Sequence, residues 1–167
     1  MSVLWAVLIL VAAQRLAELV YASRNTRRLK AEGAIESGAG HYPLLVAVHV
    51  LWFAALAAFI PADRLPDWAL LGAFLGLQGL RLWVLASLGR YWTTRVITLP
   101  GAPLVRRGPY RFLRHPNYLV VAGEIAVLPL AFGAWEIAVI FSLANAAVLA
   151  WRIRCEERAL SGRPLPQ

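Results

Sequence analysis

Five apolar runs set the limits on what this chain can be, because about 20 apolar residues suffice to carry an α-helix across the roughly 30 Å hydrocarbon core of a bilayer. They fall at 2–22, 43–60, 67–88, 117–133 and 135–153. Of 167 residues, 60% are hydrophobic and 16% charged, against about 45–50% and 25% in soluble domains. A chain of this length has no water-free interior large enough for that excess. The expected fold is therefore all-α: a single polytopic membrane domain, 1–167, with five transmembrane helices. The last two form a helical hairpin about Gly133-Ala134, and the C-terminal helix runs on into the cytosol. The first run is read as a retained span. It lacks a preceding basic region and contains Gln14, Arg15 and Glu18, unlike a cleaved leader.

The net charge is +8, from 17 basic and 9 acidic residues. Arg24, Arg27, Arg28 and Lys30 lie in the 23–42 loop, and Arg90, Arg95, Arg106, Arg107, Arg111 and Arg114 in the 89–116 loop. Arg154, Arg158 and Arg163 lie in the 154–167 tail, and Arg64 stands on the opposite side. Basic residues accumulate in cytoplasmic loops, so the N-terminus is expected outside, with both long loops and the C-terminus in the cytoplasm. Sidedness accounts for the charge, and no nucleic-acid partner is expected. The single Cys155 excludes an intrachain disulfide framework and a multi-cysteine metal site. No metal is expected. No internal repeat suggests an inverted-repeat transporter.

Ionisable residues inside a bilayer are costly and call for partners. Arg15, Glu18 and Arg81 lie toward the cytoplasmic ends of their spans, where they can snorkel or pair. Glu124 and Asn145 are expected to face the bundle interior, either in structural hydrogen bonds or in contact with a substrate or cofactor. The 89–118 segment, GRYWTTRVITLPGAPLVRRGPYRFLRHPNY, is too long for a plain connector. Its aromatic residues alternate with arginines and turn formers, as in a lined pocket at the membrane surface. His115 precedes Pro116, which opens the fourth helix and leaves its N-terminus facing that pocket. Beyond the last span, Arg152 and Glu156 share one helix face and Arg154 and Glu157 another. Both clusters emerge on the same side, one at the end of each arm of the hairpin, and together form the best site candidate.

The stretch GPYRFLRHPNYLVVAGE, followed about thirty residues later by RIRCEERAL, resembles the isoprenylcysteine carboxyl methyltransferase family of integral-membrane enzymes. The resemblance covers roughly residues 72–160. The segments SRNTRRLKAEGAIESGAGHYPLLVAVH and GRYWTTRVITLPGAPLVRRGPY are similar to a bacterial branch that O-methylates long-chain alkylpyrones and alkylresorcinols. No glycine-rich strand-to-helix turn of a doubly wound nucleotide fold is present. The resemblance implies S-adenosyl-L-methionine as cofactor, held in a cytosolic pocket, and a location in the bacterial inner membrane. Carried over by position, Leu104, Val105, Gly108, Tyr110, Arg114, His115, Pro116 and Tyr118 match the cofactor-side motif. Glu156 and Glu157 match the acidic pair that closes it. The chain ends at Gln167 without the longer aromatic extension of the eukaryotic enzymes, which points to a free amphipathic lipid as acceptor in preference to a prenylated protein.

Methyl transfer from a sulfonium is an in-line displacement that neutralises charge, so alignment supplies most of what the enzyme must provide. An ionised carboxylate or pyrone enol needs no base, whereas a resorcinol with a phenol-like pKa near 10 does. The expected roles follow. Arg154, with Arg114 as alternative, orients the acceptor oxyanion; Glu156 and Glu157 hold cofactor polar groups; His115 hydrogen-bonds the cofactor or acts as base. Glu124, Asn145 and Arg154 are expected on the acceptor side. The acceptor's apolar chain would enter laterally near Glu124 and the glycines of the third span, Gly72, Gly76 and Gly79. Two other readings remain at this point: an NAD(P)H-dependent membrane reductase related to sterol reductases, and a non-enzymatic lipid-binding membrane protein.

Overall fold

A computed structural model describes residues 2–37, 40, 42–102 and 105–160. Five helices carry the fold: α1 (Val3–Ala31), α2 (Tyr42–Phe59), α3 (Trp68–Leu88), α4 (Pro116–Ala131) and α5 (Trp135–Leu160). Two three-residue strands, β1 (Ile35–Ser37) and β2 (Val96–Thr98), pair antiparallel with Glu36 opposite Ile97. This small sheet is an addition to the expected all-α architecture. Alternation over three residues leaves no readable pattern, and the pairing partner lies some sixty residues away.

Helix boundaries follow local chemistry. The 29 residues of α1 reach about 43 Å at ~1.5 Å per residue, well past the expected end at 22. The stretch after 22 is rich in Arg, Lys, Leu and Ala, all good helix formers, and Arg28 and Lys30 sit favourably in its last turn. Gly33, at φ 92°, then turns the chain toward β1. Asp67 caps α3 by accepting from Ala69 N and Leu70 N at 2.9 and 3.1 Å. Among the described residues four helices, α1, α2, α3 and α5, are long and apolar enough to cross a membrane. α4 is apolar but has 16 residues, about 24 Å. It starts at Pro116 and stops at Ala131, where Gly133 (φ 73°) makes the hairpin turn, so it is shorter than the expected 117–133 span.

α4 lies between α3 and α5, and α2 packs on α5. Leu4, Leu8 and Val11 of α1 join Trp52, Leu56, Phe74, Ile125 and Leu128 in the main core. A smaller cluster, Ala22, Val84, Trp92 and Val120, lies beneath the 89–118 segment. Gly123 provides the close approach of α3 to α4: a Cβ there would stand 3.0 Å from Leu77 Cδ1. Gly72, Gly76 and Gly79 instead border open space. Ile9, Leu10, Val50, Leu51, Leu75, Leu82, Ile140 and Leu143 point outward, the apolar girdle that hydrocarbon requires.

The strand pair is anchored by Glu36, which accepts from Lys30 Nζ at 2.6 Å and Arg95 Nη1 at 2.7 Å. Those bonds, Lys30 first, hold its carboxyl below the ordinary value of 4.5. A lowered value in the folded state means that the contact stabilises at neutral pH and is lost as pH falls through that lowered value. Amide exchange at 35–37 and 96–98, corrected for intrinsic rates, should therefore rise only in acid, below the ordinary carboxylate value of 4.5. In Glu36→Gln it should already be raised at pH 7.

Candidate active site

The start of the long loop is held from two sides. Asn25 of α1 donates through Nδ2 to the carbonyls of Gly89 (3.1 Å) and Trp92 (2.9 Å). Arg107 Nε donates to Ser87 O at 2.6 Å, docking the middle of the loop on the end of α3. Gly108 sits there at φ 58°, and a Cβ would fall 2.0 Å from Ser87 Oγ and 3.1 Å from Trp83 Nε1. Its role is thus to let the backbone approach α3, and it does not line the cavity described below. Gly108→Ala combines a strained φ with a steric clash, and should lower thermal stability by about 1–3 kcal/mol, measured by unfolding in detergent.

Between this loop, the tip of α1 and the projecting end of α5 lies a cavity of about 640 Å³. Tyr91, Trp92, Tyr110 and Tyr118 supply aromatic walls; Arg95, Arg106, Arg114 and Arg152 supply cations; Glu156 and Glu157 supply the acids. Of the residues expected from the sequence, Val105, Tyr110, Arg114, His115, Tyr118, Glu156 and Glu157 line this one space. Pro116 is fully buried as the first residue of α4 and acts through the backbone. Leu104 lies outside the described residues.

His115 stacks on Tyr118 with ring centroids 5.3 Å apart and planes at 20°. Its Nδ1 is 3.9 Å from Glu156 Oε1 and its Nε2 is 3.8 Å from Glu157 Oε1. Tyr118 donates its hydroxyl to Glu156 and accepts from Arg152 Nε at 2.8 Å. Arg152 Nη1 also donates to Thr94 O at 2.8 Å, so one guanidinium ties α5 to α4 and to the loop. Burial, reinforced by Glu156, pushes the Tyr110 hydroxyl well above its usual range. It remains protonated at neutral pH. His115 Nε2, Asn117 Oδ1 and Trp92 Nε1 are buried without a hydrogen-bond partner among the described residues.

Three expected site residues lie elsewhere. Arg154 is exposed and does not line the cavity; two positions along a helix turn a side chain by about 200°, so Arg152 faces inward and Arg154 outward. Glu124 is 2% exposed and engaged by Arg15 Nη2 (2.6 Å) and Gln78 Nε2 (2.8 Å), between α1, α3 and α4. Asn145 is 1% exposed inside the bundle, two turns before Arg152 and away from the cavity lining. Arg152 was expected in the cluster at the end of α5, and Asn117 and β2 within the lined 89–118 segment, but none of them was given an individual role in the site. The helical phase of Arg152 with Glu156 was the available signal for the first, and nothing local marked the others.

Residues 69–162, more than half of the chain and all but the first residue of α3 together with the loop, α4 and α5, match the isoprenylcysteine carboxyl methyltransferase (ICMT) family. The chain belongs to this family. As an ICMT-family member it is an integral membrane protein of the methyltransferase class, and its cavity lies wholly within the matched region except for the Leu29 contribution from α1. The chain is 40% identical over 160 residues to the uncharacterized protein YpbQ of Bacillus subtilis (strain 168), covering 93% of this chain and 95% of that one. It is 28% identical over 158 residues to an uncharacterized protein of Haemophilus influenzae (strain ATCC 51907 / DSM 11121 / KW20 / Rd), covering 90% and 91%. No solved structure matches.

Proposed function

We propose that the protein is an S-adenosyl-L-methionine-dependent O-methyltransferase acting on an amphipathic lipid at the cytoplasmic face of a bacterial inner membrane, with its N-terminus outside. The observation that carries this reading is the single cavity in which the acidic pair of α5 meets His115 and the aromatic loop. A volume of about 640 Å³ falls within the roughly 300–1,000 Å³ of small-molecule sites. The orphaned His115 Nε2, Asn117 Oδ1 and Trp92 Nε1 offer hydrogen bonds to a polar ligand, and the tyrosines offer stacking to an aromatic base. These features fit the cofactor.

When bound, S-adenosyl-L-methionine supplies a methyl group on a positively charged sulfur. The protein's own part is to bind and align. Glu156 and Glu157 favour cationic groups, and His115 and Asn117 hydrogen-bond the ligand's polar edge. Arg152, with Arg114 at the mouth, favours an acceptor that arrives as an oxyanion. For a phenolic acceptor, His115 is the group able to take the proton, with the Glu156 and Glu157 carboxylates 3.9 and 3.8 Å from its ring nitrogens. The alkylpyrone or alkylresorcinol class is the acceptor favoured by the sequence likeness, and a prenylcysteine carboxylate is the second candidate.

The test is to incubate purified protein with methyl-labelled S-adenosyl-L-methionine and, separately, an alkylpyrone, an alkylresorcinol and a prenylcysteine. Label in a pyrone or resorcinol supports the reading; label in prenylcysteine alone overturns the acceptor ranking. The family membership does not favour the reductase or the non-enzymatic lipid-binding reading.

A further inference from the structure

The proposed mechanism leaves unused a set of four charged side chains in the bundle, Glu18, Arg81 and Glu124 buried and Arg15 half-buried. Arg81 of α3 forks onto Glu18 of α1, Nε to Oε1 at 2.7 Å and Nη2 to Oε2 at 2.5 Å, and its Nη1 stands 3.4 Å from Glu124 Oε2 of α4. Arg15 of α1 closes the ring, 3.1 Å from Glu18 and 2.6 Å from Glu124. Gln14 and Gln78 donate to the two carboxylates at 3.0 and 2.8 Å. The ring holds two positive and two negative charges, so it has no net charge to attract a ligand. Apolar side chains would fill the same space at lower desolvation cost. What apolar packing does not supply is direction: a bidentate Arg–carboxylate fork fixes both the height and the rotation of one helix against another.

The height of α1 matters to the cavity. Glu18, Asn25 and Leu29 are spaced seven and four residues apart, so they share one face of α1. Glu18 enters the ring, Asn25 holds the carbonyls of Gly89 and Trp92, and Leu29 lines the cavity. Arg81 also lies 5.9 Å from the centroid of the Trp92 ring, which forms part of the cavity wall. Two residues on, Thr94 O accepts from Arg152. A shift of α1 along its axis would thus move the Trp92–Thr94 wall and, through it, the arginine assigned to the acceptor.

We propose that the Arg15–Glu18–Arg81–Glu124 ring is a positioning unit for methyl transfer: it sets the height of α1, a helix outside the family-matched region, and so aligns the Trp92–Thr94 wall of the cavity. This rests on the reading of the cavity as a methyl-transfer site. The ring touches neither cofactor nor acceptor and acts through Asn25 and Trp92.

The test replaces the ring with apolar residues, Arg15→Met, Glu18→Leu, Arg81→Met and Glu124→Leu together, which removes direction without leaving an unpaired charge. Amide exchange across 89–99 and steady-state kinetics are then compared with the parent. The expected result is a folded protein with exchange at Trp92 and Val96–Thr98 about tenfold faster or more, and kcat lower by about tenfold or more, with the acceptor KM changed less than about threefold. A folded variant with exchange and kcat within about twofold of the parent overturns the proposal. If the fourfold variant does not accumulate, Arg81→Lys, which keeps the charge and loses the fork, is read by the same two measurements. Should the parent itself transfer no methyl group, the proposed function fails, and the exchange data alone decide whether the ring positions the wall.

Discussion

Arg152→Ala is expected to lower the rate of methyl transfer by about two orders of magnitude, whereas Arg154→Ala changes it less than about twofold. Arg152 is 6% exposed and bridges Tyr118 of α4 and the carbonyl of Thr94, inside the cavity. Its loss would take a donor from the buried Tyr118 hydroxyl and from the part-buried Thr94 carbonyl, release the Tyr118–Glu156 contact from its second partner, and remove the cation proposed to face the acceptor. Arg152→Lys keeps the charge but cannot make both directed bonds, and is expected to lose about tenfold. Initial rates with labelled donor decide between the two arginines. A larger loss for Arg154→Ala would return the acceptor role to the outward face of α5 and break the account of the cavity.

His115→Ala and Glu157→Ala should each weaken S-adenosyl-L-methionine binding by about 10–100-fold, the worth of one hydrogen bond to a charged group. His115 stands between Glu156 and Glu157, at 3.9 and 3.8 Å, and its buried Nε2 has no partner among the described residues. Glu157 is itself half exposed, at the mouth, so its removal costs little in folding. Calorimetric titration of the detergent-solubilised variants separates a binding defect from a fold defect. Unchanged affinity in both would remove the cofactor from this side of the cavity.

The membrane class, the hairpin at Gly133 and the meeting of the loop with the end of α5 were all legible in the sequence, because each depends on local patterns: apolar run length, a glycine turn, and the shared sidedness of two arginine-rich segments. The extension of α1 past residue 22 was not, since hydropathy reports where the bilayer ends and not where the helix does. The shortness of α4 was hidden for the converse reason, its apolar run continuing through Phe132 beyond the helix itself. The inward arginine of α5 was within reach, because Arg152 and Glu156 are one turn apart and Arg154 cannot share their face. The β1–β2 pairing and the ring of Arg15, Glu18, Arg81 and Glu124 join residues far apart in the chain. Their separate positions were readable, but their meeting depends on how the helices pack.

Ultraviolet cross-linking of labelled S-adenosyl-L-methionine to the solubilised parent protein, followed by peptide mapping, reads cofactor and location together. Label is expected in the peptides that contain 91–99, 105–118 or 152–157, displaced by excess unlabelled cofactor and not by NADPH. Label confined to peptides from α2, or displaced by NADPH in preference to S-adenosyl-L-methionine, would contradict the methyltransferase reading of this cavity.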